Sequence, residues 1–360
     1  MGIQDLFSII DSYAPNSMFK LHISDLSGFT VAIDINIYFY QFVRGSDAII
    51  DGKMSGSWFD KFVKMMIQFK DAKIQPIFIF EGQAPIDKKD EQDERRMNEN
   101  KILEKIQHLK DFIVELTELR KNGVQITPIE LQNNIKQILL NKRNSKTDST
   151  NYANVYGLLN TLKSKLQSLQ TQSIPITSHH TSSIQKLISL FGWTWLQANG
   201  EAEELACYLC LNGQCNAVLS NDTDVLAYSC PFFVTKYDVW SGSLCGIDYD
   251  IMLNELKLTK SEFLDLCILL GCDYNKRVKG YGPQKCMDLI QKYKTIERII
   301  QEYFVGMDVE SLNYIRCREL FMGNTNPSYE NHEPIHINIS ELLQECQSSY
   351  TLDKLQKYLT

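Results

Sequence analysis

Carboxylates stand at four separated places in this sequence, each where an apolar run gives way to a turn or a helix. They are Asp34, Glu81, Glu201 with Glu203, and Asp222 with Asp224. If the runs are strands of one open parallel sheet, their carboxyl ends share an edge and these acids converge there. Because crowded carboxylates raise one another's pKa, such a cluster calls for cations. Ligand sets made only of oxygen favour magnesium or manganese.

Each acid also has an ordinary structural explanation. Acids at strand ends often cap the next helix, and the helix dipole favours acids in the first turn. Glu201 and Glu203 are two residues apart and do not face the same side of a regular helix, so both reach a metal only at the helix entry. Asp273, in LLGCDY, is a weaker fifth candidate because it follows a glycine at a helix end. The repetition at four strand ends favours metal binding over capping.

The elements that would position these acids alternate between strand and helix. TVAIDI and QPIFIF flank the amphipathic stretch WFDKFVKMMIQFK. The alternation resumes with GWTWLQ, the helix EAEELACYLCLNG, the strand CNAVLS, the turn NDTD and the strand FFVTKY. Continuous apolar strands separated by helices predict an α/β fold with a mainly parallel central sheet flanked by helices.

Residues 88–185 break this alternation. Apolar residues recur at helical spacing from Ile102 to Leu116, and Thr127-Pro128-Ile129-Glu130 marks a second helix start;. VYGLLNTLKSKLQSLQ gives a third helix, and we predict a mobile link near NKRNSKTDSTN;. The chain is thus predicted to consist of a first part of the core (1–87), a helical insertion (88–185), a second part of the core (186–300) and peripheral C-terminal helices (301–360).

The composition limits the class of protein. With 360 residues, 44% of them hydrophobic, the chain can bury a large core;. A net charge of -7 opposes phosphate binding unless clustered acids hold cations;. Ten cysteines form no secreted disulfide pattern, so we expect reduced thiols, with Cys207 and Cys210 as core residues;. The sequence has no signal peptide and no apolar run of about 18 residues, so we expect an intracellular protein without a membrane partner.

Seven motifs resemble one known family. In order they are MGIQDL, VAIDIN, PIFIFEG, GEAEE, SNDTDVLAY, CILLGCDY and GYGPQK. The chain is similar here to the flap endonuclease and XPG-type nucleases, a family that includes related 5′ exonucleases. The match spans nearly all of residues 1–300 outside the insertion. It implies a PIN-like nuclease core, a helical arch made by the insertion, and a helix-two-turn-helix region after the core.

The resemblance implies hydrolysis of a phosphodiester with two Mg²⁺ ions, which Mn²⁺ can replace. The matching ligand positions are Asp34, Glu81, Glu201, Glu203, Asp222, Asp224 and Asp273. Glu81 departs from the aspartate usual in the family, and its carboxylate extends roughly 1.5 Å further from the backbone. Glu81 can coordinate a metal ion directly or through water. It is therefore the first of the seven ligand positions to test.

The resemblance also implies residues that hold DNA. Lys88 and Arg95, seven residues apart, match positions that touch the scissile phosphate, with help from Arg96; the residues alone favour a solvated helix face;. Tyr40 matches a position that stacks on a base, although its aromatic neighbours suggest core packing. Gly2 lies in the N-terminal motif that meets the bent junction. Further DNA contacts are expected around the turn, from Arg277, Lys279, Gly280, Gly282 and Lys285, with K⁺ bound there.

The predicted function is a structure-specific 5′ nuclease that acts on branched or nicked double-stranded DNA with a 5′ single-stranded flap. The motifs do not separate endonuclease from exonuclease, or flap from bubble substrates. The alternative is a non-catalytic DNA-junction binding protein that keeps the fold. The C-terminus YTLDKLQKYLT lacks a sliding-clamp docking motif, and we expect a monomer. The sequence does not choose between nucleus and cytoplasm, or a host cell if the protein is viral.

Overall fold

A computed structural model describes residues 2–45, 49–50, 53–54, 56–121, 155–322, 326–335 and 348–359. The strands within these ranges are β1 (Met18–His22), β2 (Thr30–Asp34), β3 (Ile49–Ile50), β4 (Lys53–Met54), β5 (Gln75–Phe80), β6 (Trp195–Ala198), β7 (Ala217–Leu219), β8 (Phe232–Thr235), β9 (Ser243–Asp248) and β10 (Tyr329–His332). Eight of them form one sheet in the order β1-β9-β8-β7-β2-β5-β6-β10, and β3 pairs with β4 separately.

The centre of the sheet is parallel, as predicted. β2 pairs in parallel with β5 and β7, β5 with β6, and β7 with β8. Antiparallel strands extend both sides, because β9 pairs with β8 and β1, and β10 pairs with β6. The carboxyl ends of the five parallel strands therefore lie along one edge of a mixed sheet.

The described helices follow in chain order. They are α1 (Leu6–Tyr13), α2 (Ile35–Val43), α3 (Ser57–Asp71), α4 (Lys89–Lys121), α5 (Val155–Gln172), α6 (Ser178–Leu190), α7 (Ala202–Leu211), α8 (Asp224–Ala227), α9 (Tyr249–Leu256), α10 (Lys260–Leu270), α11 (Pro283–Tyr293), α12 (Ile296–Glu302), α13 (Tyr314–Met322) and α14 (Ser349–Leu359). None of the described helices is long and apolar enough to cross a membrane.

Helices cover both faces of the sheet, which explains the continuous apolar strands. On β2, Ala32 packs into the core formed with α1, α7, α9, α10 and α11. Its neighbours Val31 and Ile33 point the other way, into the core formed with α2, α3 and α6. Successive strand residues face opposite sides of a sheet, so a strand buried on both faces must be apolar throughout.

The described part of the insertion is helical, as predicted. Ile106, Leu109 and Leu116 of α4 pack against Leu159 and Leu162 of α5 in a small separate apolar cluster. The second helix start at Thr127 and the link near NKRNSKTDSTN lie outside the described residues. The insertion thus forms a helical pair that buries its own apolar seam.

Two features of the structure differ from the predicted division of the chain. The boundary at 185/186 falls inside α6, which begins after Thr177, whose N–H donates to His180 Nδ1 at 3.0 Å. Ile184 and Leu187 of this helix are buried in the core, so α6 belongs with the core. Residues 301–360 are not only helices, because β10 adds a strand to the edge of the sheet.

Candidate metal centre and DNA-facing surface

Three of the parallel strands deliver acids to the same edge. β2 ends at Asp34, whose Oδ1 accepts from the Asn36 N–H at 3.1 Å and caps α2. Glu201 is the N-cap residue of α7, and Asp222 follows β7 by three residues. Asp34 shows that capping and site formation are compatible, since its other oxygen, Oδ2, accepts from Ser220 Oγ at 3.3 Å.

The ammonium group of Lys88 lies among three of the predicted acids. Its Nζ is 2.5 Å from Glu201 Oε2, 3.4 Å from Glu203 Oε1 and 3.5 Å from Asp273 Oδ2. Burial opposes the charged form, but Glu203 and the nearby groups outweigh it and raise the pKa of Lys88. Glu201 and Glu203 thus both reach one cation, because Glu201 stands at the cap of the helix and not within it.

Several carboxylate oxygens at this edge are buried without a partner. Glu201 Oε1 and both oxygens of Asp224 accept no hydrogen bond from any residue that the structure describes. Burial, then Glu81 and Asp222, raise the pKa of Asp34 to about 7. Burial likewise raises the pKa of Asp222, and it raises the pKa values of Glu203 and Asp224 well above the usual range. The Lys88 ammonium lowers the pKa values of Glu203, Asp222 and Asp224, but burial outweighs this effect.

The donor set fits hard divalent cations. It consists of carboxylate oxygens, some buried and unsatisfied, and such oxygens are the ligands that magnesium and manganese prefer. Among the described residues, no three His, Cys, Asp or Glu side chains are already arranged to hold one ion. The Lys88 ammonium lies between them instead, so metal binding requires the carboxylates to turn towards a new centre.

Glu81 takes part in the electrostatics of the cluster although it is exposed. The pKa of Glu81 is raised first by partial removal of its carboxylate from water and then by the negative charge of Glu201. The charge of Glu81 in turn helps to raise the pKa of Asp34. The longer side chain therefore stays close enough to the other acids to influence them, and its role as a metal ligand stays a prediction.

Arg95 bridges the insertion and the acidic edge. Its Nη2 donates to Asp273 Oδ2 at 3.3 Å, and its Nε forms an ion pair with Glu91 one turn earlier. The structure therefore places Lys88 and Arg95 on the same carboxylate, and their contact with a phosphate stays a prediction. Arg96 points away, with its side chain 76% exposed and 3.7 Å from Asp93.

The N-terminal segment lies against two of the predicted metal ligands. A Cβ atom on Gly2 would lie 2.1 Å from Asp222 Oδ1 and 2.7 Å from Asp224 Oδ1. The backbone of Gly2 has φ +77°, in the left-handed region that favours glycine;. The N-terminal motif, predicted to contact DNA, is thus in direct contact with two of the predicted ligands.

The turn between α10 and α11 leaves space beside both of its glycines. Gly280 has φ +90°, and a Cβ on Gly280 or Gly282 would meet no atom of the described residues within 4 Å. Lys279 and Lys285 are exposed, and Lys285 Nζ donates to the Gly280 carbonyl at 3.3 Å. Arg277 differs from these two lysines, because its guanidinium donates within the protein, to Leu270 O at 2.6 Å and to Asp5 Oδ2 at 2.9 Å. It therefore connects the end of α10 to the N-terminal segment.

The aromatic cluster on α2 divides into two groups. Tyr38, Phe39 and Phe42 are buried core residues, whereas Tyr40 is 45% exposed. The Arg44 guanidinium carbon lies 4.9 Å from the centroid of the Tyr40 ring. Core packing thus explains its neighbours, and an exposed ring remains at Tyr40 for the predicted stacking on a base.

Sequence reasoning missed two residues that shape the site. Ser220 Oγ accepts from the Asp222 N–H at 3.0 Å and donates to Asp34, so it links two strand ends. The ring of Tyr274 lies 5.2 Å from Lys88 Nζ. Their signals were a small polar residue at a strand end and an aromatic beside Asp273, and neither stands out without the neighbouring strand.

Solved structures share this fold. The catalytic core of Rad2 in complex with a DNA substrate matches with a TM-score of 0.62 and 16% identity, covering 99% of both chains. Flap endonuclease-1 from Methanococcus jannaschii matches with a TM-score of 0.58 and 19% identity, covering 97% of this chain and 98% of that one. The fold and the acidic edge define an α/β protein with a nuclease-type core.

The family follows from sequence. The XPG N-terminal domain matches residues 1–102, and the XPG I-region matches residues 192–273, together just over half of the chain. The chain belongs to the XPG family of structure-specific, metal-dependent nucleases. Flap endonuclease 1 of Entamoeba histolytica is 28% identical over 89% of this chain and 76% of its own length. A probable RAD2-like endonuclease of Invertebrate iridescent virus 3 is 27% identical, over 89% and 85%.

Proposed function

We propose that this protein cuts DNA phosphodiester bonds at 5′ flaps, nicks and related junctions, using two Mg²⁺ ions that Mn²⁺ can replace. The observation that carries the proposal is the set of buried, unpartnered carboxylate oxygens of Glu201 and Asp224 beside Lys88. Buried acids without partners are costly unless cations neutralise them. The matches to flap endonuclease 1 and to Rad2 with DNA supply the substrate class.

The seven predicted acids would hold the ions, and Glu81 would do so with a longer side chain than the aspartate usual at this position in the family. Bound divalent ions activate water and neutralise charge at a phosphate. Lys88 and Arg95 contact the carboxylate of Asp273 in the protein alone. When the metal ions neutralise that carboxylate, the side chains of Lys88 and Arg95 are available to donate to oxygens of the scissile phosphate. These hydrogen bonds would hold the DNA backbone beside the acids.

The remaining DNA contacts are proposed for two exposed surfaces. The open turn at Gly280 and Gly282 lets a phosphate approach the backbone, and the exposed Lys279 and Lys285 add positive charge there;. A K⁺ ion is proposed at the same turn, held by backbone carbonyls. Tyr40 is proposed to stack on the base beside the cut. The helical insertion is proposed to admit the free 5′ end.

The test is cleavage of an end-labelled 5′ flap in Mg²⁺, compared with the same flap blocked at its 5′ end by a bulky protein. Rapid cleavage of the free flap only is expected if the end passes the insertion. One released flap fragment identifies an endonuclease, and released mononucleotides identify an exonuclease. Parallel nick and bubble substrates rank the junctions.

Asp224→Ala is the variant that tests the metal assignment, and Asp248→Ala is its matched control. Asp224 begins α8, and Asp248 ends β9 and caps α9, where it accepts from the Ile251 N–H at 2.9 Å. Asp224→Ala should abolish cleavage and keep junction binding. Asp248→Ala should cost about 1 kcal/mol of stability and leave cleavage intact. Equal cleavage by Asp224→Ala and wild type would refute the metal assignment, and binding without any cleavage by wild type would favour the non-catalytic alternative.

A further inference from the structure

The turn that carries Lys88 is tied to the C-terminal part of the chain. Asp87, in the turn Ile86–Lys88, accepts two hydrogen bonds from Arg316 on α13. Arg316 Nε reaches Asp87 Oδ1 and Arg316 Nη2 reaches Asp87 Oδ2, each at 3.0 Å. A paired, planar contact of this kind fixes direction as well as distance. The two residues are 229 positions apart, so no local spacing predicts the contact.

Helix α13 is a firm support for Arg316. Arg318, on the same helix, donates to both oxygens of Asp265 on α10, at 2.7 and 2.6 Å. Phe321 is buried, and its ring packs edge-on against Tyr274 with a centroid distance of 5.4 Å. Because these contacts fix α13 on the core, Arg316 extends from a rigid element and not from a loop.

The Lys88 side chain depends on the direction of that turn. A lysine side chain has four rotatable bonds, so its backbone decides which way the ammonium group can extend. The Lys88 N–H donates to the Pro85 carbonyl at 3.0 Å. Ile86, one residue before Asp87, is 88% exposed and gives the turn little apolar packing. The contact between Asp87 and Arg316 is therefore a main restraint on the turn from the side of the C-terminal helices.

We propose that Arg316 is a positioning residue for Lys88, holding the turn through Asp87 so that the ammonium group points into the carboxylate cluster. This inference rests on the proposed function, because it gives α13 a part in cleavage. Arg316 Nη1 also donates to Glu319 Oε2 at 2.9 Å, which keeps the guanidinium facing Asp87. The side chains of Arg316 and Asp87 are 46% and 26% exposed, so the expected loss is modest, about three- to tenfold in kcat.

The experiment compares Arg316→Ala, Asp87→Ala and the double variant on a 5′ flap in Mg²⁺. We expect the same fall in kcat in all three, with KM, junction Kd and Tm unchanged. In a Lys88→Ala background, Arg316→Ala should cause no further fall in kcat, because the side chain that Arg316 positions is absent. The exchanged pair Asp87→Arg with Arg316→Asp should recover most of the rate. Arg298→Ala is the control, since the Arg298 guanidinium pairs with Glu302 on its own helix, at 3.3 Å.

Hydrogen exchange gives a readout that does not need cleavage. The peptide carrying residues 86–95 should exchange faster in Arg316→Ala and Asp87→Ala than in wild type or Arg298→Ala. Unchanged exchange and unchanged kcat would overturn the proposal. A raised Kd in Arg316→Ala with a normal rate in Asp87→Ala would overturn it too, by assigning Arg316 to DNA contact. A wild type that cleaves no junction would instead refute the proposed function, while exchange would still report on the contact.

Discussion

Replacing Gly2 with alanine tests how tightly the N-terminal segment packs on the acidic edge. The new Cβ would lie 2.1 Å from Asp222 Oδ1 and 2.8 Å from the Asp224 backbone nitrogen. Asp222 Oδ1 already accepts from that nitrogen at 3.0 Å. The carboxylate therefore cannot move aside without losing its hydrogen bond, and either the N-terminal segment or Asp222 must shift.

Two separate costs are expected. The left-handed backbone at φ +77° costs a residue with a side chain about 1–2 kcal/mol. The clash adds a displacement of roughly 1 Å, and a misplacement of that size near reacting groups can cost about a hundredfold in rate. Gly28→Ala isolates the first cost, because Gly28 has φ +81° and a Cβ there would meet nothing within 4 Å.

Cleavage rates and chemical denaturation of both variants separate these effects. Gly28→Ala should lose stability and cut at the wild-type rate. Gly2→Ala should lose at least as much stability, and its single-turnover rate should fall about a hundredfold, by the same estimate. If Gly2→Ala cuts as fast as Gly28→Ala, the close approach of Gly2 to Asp222 does not matter for catalysis and the reasoning fails.

Three further outcomes follow from the same contacts. The pKa of Asp34 is raised to about 7 from 3.8, so the folded state binds this proton more tightly than the unfolded chain does. The metal-free protein should therefore lose stability as the pH rises from about 4 to about 7. The loss should reach up to about 4 kcal/mol, at about 1.4 kcal/mol per pH unit. Denaturation in EDTA at several pH values measures this loss, and Asp34→Asn should reduce it, while Asp222, Glu203 and Asp224, whose pKa values are also raised, maintain the remainder. Millimolar Mg²⁺ should raise the Tm of wild type and raise that of Asp224→Ala less; a metal-independent Tm in wild type would contradict the ligand assignment. Arg318→Ala should cost about 3–5 kcal/mol, because it leaves the buried Asp265 without its counter-charge and with the Ile296 N–H as a remaining donor;. A loss under about 1 kcal/mol in urea denaturation would show that the pair of Arg318 and Asp265 contributes little to stability.

Much of the core could be predicted because its signals are local. A strand buried on both faces must be apolar along its whole length, so TVAID and QPIFIF were recognisable as β2 and β5;. Edge strands lack this signal. β10 has mostly exposed residues, and its pairing with β6 depends on residues more than a hundred positions away. No local pattern encodes that partner, so the C-terminal region was predicted as helices only.

The sequence by itself determined the chemistry of the site: acids at strand ends, lysine and arginine after the second of them, and motifs in the order of one nuclease family. Only the tertiary structure decided which groups meet. It placed the Lys88 ammonium between Glu201, Glu203 and Asp273, and it brought Gly2 onto Asp222. Residue types and strand ends are fixed by local pattern, but contact between distant segments depends on how the sheet orders its strands and on what packs against its edge.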